Sequence, residues 1–309
     1  MNGTTMQGRI IKQTKRKYNN FNLGAFLLYV LPIAYMAIII AVLVHEILGH
    51  GLFTMILGGK FLGFTVLVDG MGWVNIDVTG VSQGAIAMML LSGALLTNLL
   101  AIVLFALSYK LRKNNIMSIT LLFFALSFLM DGVPYFLWDA IYQGGIGDVS
   151  NILKLYPKES LRISIIIING ILGILGLVFF NFSFMEKAVV WYGRIDNTTE
   201  LDPSSREKMF RRNRMVMAAV IYVIQALAWL SFDWTQLIPV PNVGIVPSLV
   251  AIILTGITLI GFLVLNNRKI YYELSEEKTS WRKSIIFAWS LCIFVAAIII
   301  LFCQNGVMF

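Results

Sequence analysis

The chain has 309 residues, 58% of them hydrophobic and 13% charged, with a mean hydropathy of +0.81. That much apolar residue excludes an ordinary soluble domain, and several uninterrupted apolar runs exceed the roughly 20 residues needed to cross a bilayer. A net charge of +8 would otherwise invite a nucleic-acid partner, but the basic residues sit in short loops between apolar runs, where orienting the chain in a membrane is their ordinary role. The expected class is an all-α polytopic membrane protein.

Residues 1–23 form a basic arm carrying Arg9, Lys12, Lys15, Arg16 and Lys17. The apolar run that follows holds no small-residue cleavage site, so the arm does not read as a cleavable signal peptide. The first apolar segment, from about Gly24 to Leu57, is too long for one straight span, and Pro32 is expected to start the membrane helix proper. Within it lies Val44-His45-Glu46-Ile47-Leu48-Gly49-His50-Gly51, which contains both histidines of the chain. Ionisable groups are costly in a membrane, so three within six positions mark a candidate functional site. Two imidazoles can hold a zinc ion, and the carboxylate of Glu46 could take a proton from water bound to it. The spacing is H-E-x-x-x-H, not H-E-x-x-H. On a regular α-helix five residues turn by about 500°, leaving the rings roughly 140° apart. A shared metal therefore requires a π-bulge, or a helix end near Gly49, between Glu46 and His50. The competing reading is a pair of polar side chains serving helix packing.

Gly58-Gly59 breaks the helix. Phe61 to Val68 reads as a strand, Asp69-Gly70 as a hairpin turn, and Val74, Ile76 and Val78 alternate with polar residues, so a short β-hairpin is expected here, with a structured external loop as the alternative. Further spans are expected at about 83–109, 116–141, 161–184, 215–237, 245–266 and 284–304, making about seven transmembrane helices. Residues 24–157 then form a membrane-embedded core and residues 158–309 a C-terminal bundle of unassigned role. With seven spans, loops 110–115, 185–214 and 267–283 share the side of the N-terminal arm. Twenty of the 24 Lys and Arg residues fall on that side, which puts the N-terminus in the cytoplasm. The sequon at Asn197-Thr198-Thr199 falls in one of these loops, where it would not be glycosylated. Cys292 and Cys303 lie about 16 Å apart along one helix, too far to bridge.

Catalytic zinc usually takes three protein ligands and leaves a position for water. No histidine remains, so the third ligand must be a carboxylate. Asp131, Asp139 and Asp148 are the candidates, all in or just after the third span and all approaching the half of the membrane that holds the histidines. At most one need be the ligand, and at least one must serve another purpose.

These segments together resemble the site-2 protease family of intramembrane zinc metalloproteases. The likeness rests on His45-Glu46 through His50-Gly51, with Gly58-Gly59 and the hairpin after it. Leu91-Ser92-Gly93-Ala94-Leu95-Leu96-Thr97-Asn98 is similar to the small-residue and asparagine signature of the family's next core helix. Tyr135 to Pro157 is similar to the segment carrying the aspartate ligand, with Gly147-Asp148 the closest match and Asp131-Gly132 a second. The likeness covers roughly residues 30–157. It implies that His45, His50 and Asp148 bind Zn2+, that Glu46 is the general base, and that a membrane-protein or peptide substrate is cleaved. Asn98 would orient substrate or hold two helices together, and an exposed hairpin edge would take an unwound substrate as an added strand. The alternatives are a catalytically inactive relative that binds metal or partners, and a transporter whose buried carboxylates relay protons.

Overall fold

The computed structural model describes residues 23–111, 115–142, 147–192, 203–231, 246–265 and 281–309. The basic arm, the sequon and parts of loops 110–115, 185–214 and 267–283 lie outside the described residues. Helix α1 (Leu23–Leu43) runs directly into a π-helical turn, Val44–Leu52, and a short α2 (Phe53–Ile56). Strands β1 (Lys60–Val66) and β2 (Gly72–Asp77) pair antiparallel as the expected hairpin. Gly70, at φ +87°, turns the chain between them, and the Asp69 side chain accepts a hydrogen bond from Met71 N at 3.1 Å. Helices α3 (Gln83–Lys110), α4 (Asn115–Tyr142), α5 (Asp148–Leu155), α6 (Glu159–Tyr192), α7 (Pro203–Ser231), α8 (Val246–Leu265) and α9 (Trp281–Ile298) follow.

Five helices among the described residues are long and apolar enough to cross a membrane: 24–56, 83–110, 116–142, 159–185 and 283–303. The count is five, not seven. The described apolar parts of the other two, Arg214–Ala226 and Ser248–Val264, fall short of that length. In α7 the basic residues Arg211, Arg212 and Arg214 interrupt the apolar run just before it. The α-helical membrane architecture stands, with five full crossings among the described residues.

Pro32 does not begin the helix but lies inside α1. A proline there leaves the carbonyl four residues earlier without its intrahelical donor, and in an apolar surrounding that carbonyl needs another partner. Trp289 of α9 supplies it, its indole Nε1 donating to Leu28 O at 2.8 Å. The last span thereby completes the backbone bonding of the first.

A third strand, β3 (Val307–Met308), pairs antiparallel with β1, giving a sheet of order β2-β1-β3. No expectation from the residue pattern included it. The sheet lies against α1 and the π-turn through an apolar cluster that includes Ile39, Val42, Phe64, Val66 and Ile299. Helices α3 and α4 pack on the opposite side of the turn, so the histidines are enclosed between the sheet and the helices.

Candidate metal centre

The H-E-x-x-x-H spacing is resolved by the backbone. Val44–Leu52 is π-helical, and a π-turn closes i to i+5, so residues five apart come onto the same side. The two imidazole rings meet edge to face with centroids 4.7 Å apart, and their Nε2 atoms are 2.9 Å apart. Both rings are buried.

The helix α3 makes room for them. A Cβ at Gly93 would press into the ring of His45 and stand 2.8 Å from His50 Nε2. Opposite it, Gly49 of the π-turn lets the two backbones touch, and Ser92 Oγ donates across the crossing to Gly49 O at 2.9 Å. The small-residue stretch Ser92-Gly93-Ala94 is thus the wall of the site.

The outer nitrogen of each ring is already engaged. His50 Nδ1 is 2.7 Å from Met89 O; a carbonyl only accepts, so the proton is on Nδ1 and the Nε2 lone pair is free. His45 Nδ1 is 2.7 Å from Asp131 Oδ2, a close approach somewhat off the hydrogen-bond line. It too favours a proton on Nδ1 and a lone pair on Nε2. A ligating histidine usually holds its other ring nitrogen against a carboxylate or a carbonyl in this way.

Asp148 completes the cluster. Its Oδ2 is 3.2 Å from His50 Nε2 and 3.8 Å from His45 Nε2. One donor atom each from His45, His50 and Asp148 lies within 4.8 Å of the others, so this group could hold a metal ion. Separations of 2.9, 3.2 and 3.8 Å bracket the roughly 3.4 Å between ligand atoms of a tetrahedral zinc site. Two lone pairs and an anion pointed at one another repel unless a cation sits among them, so the donor set fits a metal.

The other two aspartates have separate tasks. Asp131 stands behind His45. Asp139 turns toward α5, where its Oδ2 accepts from Ser150 N at 2.8 Å and its Oδ1 from Ser150 Oγ. Together with Tyr135, whose hydroxyl accepts from Asp148 N at 3.2 Å, it anchors the first turn of α5 on α4 and so fixes where Asp148 points. Asn98 faces the helix crossing, its Oδ1 close to the Cβ position of Gly132, which is the helix-contact role and not one facing the rings.

Glu46 is half-buried and outside the ligand group. Its carboxylate accepts no hydrogen bond among the described residues, although both histidines, Asp148 and Asp131 act on it electrostatically. Its Cγ would be 3.1 Å from a Cβ on Gly72, at the start of β2. Sequence reasoning missed the Met89 carbonyl, Tyr135 and Ser150. A backbone carbonyl carries no sequence signal, and the other two matter only because α5 folds back onto α4.

Compared with models of known protein families, with curated proteins and with solved structures, the chain finds no match in any of the three.

Proposed function

We propose that this chain is an intramembrane zinc metalloprotease of the site-2 protease kind. The observation that carries the reading is the convergence of two imidazole lone pairs and one carboxylate, each ring braced from behind. Zinc bound there would make water a nucleophile near neutral pH and polarise a peptide carbonyl. Glu46 stands beside the ligands without being one and accepts no competing hydrogen bond among the described residues, which suits the proton-transfer role. His45, His50 and Asp148 would hold the metal, while Asp131 and the Met89 carbonyl keep the rings oriented.

Substrate would enter as an extended chain, because a peptide bond in a regular helix is shielded from attack. Strand β1 has both edges filled, by β2 and β3. The free edge of β2 starts beside Glu46, and an added strand there would run past the general base.

The N-terminal arm is cytoplasmic in this reading. Five spans have the same parity as seven, so loops 110–115, 185–214 and 267–283 stay on the arm's side and the basic asymmetry keeps its meaning.

The test is cleavage of fluorescein-labelled casein by purified protein in detergent, wild type against Glu46→Gln. Metal-dependent cleavage that disappears in Glu46→Gln supports the protease. A protein that binds metal but cleaves nothing, in either form, is the inactive relative instead.

A further inference from the structure

The last apolar helix ends in a second π segment, Ile299–Cys303, and Gln304 N donates to Ile299 O at 2.8 Å. Gly306, at φ +83°, then turns the chain onto β1. Val307 pairs with Phe64, Met308 with Gly63, and Phe309 N donates to Leu62 O at 2.9 Å. Gly63 has φ +154°, and a Cβ there would run into the Val307 carbonyl, so β1 is shaped at this point to receive this strand.

The contact continues inward. The Phe309 ring lies 5.3 Å from that of Phe61 and 6.4 Å from that of Phe64. Phe61 in turn covers Gly51, where a Cβ would stand 2.9 Å from the ring. Gly51 follows His50 directly. Ile47, in the same π-turn, belongs to the apolar cluster that contains Phe61, Phe64 and Val307.

A π-turn is rarer than an α-turn and needs support from its surroundings. Relaxation of Val44–Leu52 to regular α-helix would swing His50 roughly 140° from His45. On the helix side, the Met89 carbonyl and Ser92 hold the turn; on the sheet side, Phe61 does. We propose that Phe61 is a positioning residue for His50, and that β3 and Phe309 hold Phe61 in place, so that the C-terminal strand sets how tightly the triad takes a metal ion. This rests on the metal-site reading above and gives the C-terminal strand a part in the site.

Cobalt(II) titrated into the purified full-length protein in detergent, followed by its visible absorption, tests this. Phe309→Ala, Phe61→Ala and Val307→Pro, the last removing a ladder donor, should each weaken cobalt binding about tenfold, the lower range for a lost orienting contact. They should also alter the absorption band. Phe61→Leu should recover most of the affinity. In the metal-free protein the same three substitutions should speed amide exchange across residues 44–52. Cobalt affinities within about twofold of wild type together with unchanged exchange would overturn the proposal and leave the metal reading standing. Should wild type take no cobalt, the metal reading fails and the metal-free exchange decides: faster exchange upholds the positioning of the turn, unchanged exchange overturns it.

Discussion

Two of the sets of polar side chains buried in the apolar interior are built differently. In the C-terminal bundle, Asn181 Nδ2 donates to Thr258 Oγ1 at 2.6 Å, Gln225 Nε2 donates to Asn181 Oδ1 at 2.9 Å, and Thr258 Oγ1 donates on to Thr255 O at 2.9 Å. These groups are neutral and hydrogen-bond to one another, joining α6, α7 and α8 as contacts between membrane helices do. In the N-terminal half the groups are ionisable, and their outward atoms stand against Met89 O and Asp131 while their inward atoms converge on one another. The first is a chain of hydrogen bonds among neutral groups; the second gathers donor atoms that could hold a metal ion. Burial of polar atoms alone therefore does not mark a site here, whereas convergent unshared lone pairs do.

That contrast can be broken most directly at the ligands. His45→Ala, His50→Ala and Asp148→Asn should each abolish metal binding and hydrolysis together, because each removes one of three donors; metal content after dialysis against a weak chelator measures it. Next in size, Glu46→Gln should keep the metal and lower cleavage of labelled casein by at least about 10². Retained activity in that variant would remove Glu46 as the general base. Asp131→Asn should weaken metal binding by about ten- to a hundredfold without abolishing it, since it braces His45 from behind. A complete loss would instead make Asp131 a ligand.

The smallest effect belongs to the neutral cluster. Asn181→Leu should cost about 0.6–1.7 kcal/mol of stability, the range of helix–helix hydrogen bonds in membranes, and leave metal affinity unchanged. A denaturant series in detergent reads the first quantity and a cobalt titration the second. A change in metal affinity would show that the two polar sets are coupled and sink the contrast.

Much of the site was legible because its chemistry is compressed into one stretch. The spacing of His45 and His50 demanded a break in α-helical geometry, and the π-turn supplies it. The hairpin was legible from Asp69-Gly70 and the alternation after it. The choice among Asp131, Asp139 and Asp148 was not legible, because it depends on how Tyr135 and Asp139 tether α5. Strand β3 was invisible for a different reason: two residues, Val307 and Met308, carry no periodicity, and their partners Phe64 and Gly63 lie at the other end of the chain. Pro32 was misplaced as a helix start since the donor that lets it sit inside α1, the Trp289 indole, also comes from the far end. The two remaining expected spans, in α7 and α8, are described over the apolar stretches Arg214–Ala226 and Ser248–Val264, too short to count as crossings among the described residues.

His45, His50 and Asp148 are proposed to form one metal site. Elemental analysis of the purified protein, with its His50→Ala and Asp148→Asn variants prepared in parallel, tests it most directly. The wild-type chain should carry close to one zinc ion and either variant none. A wild-type protein without metal, or variants that keep it in full, would contradict it.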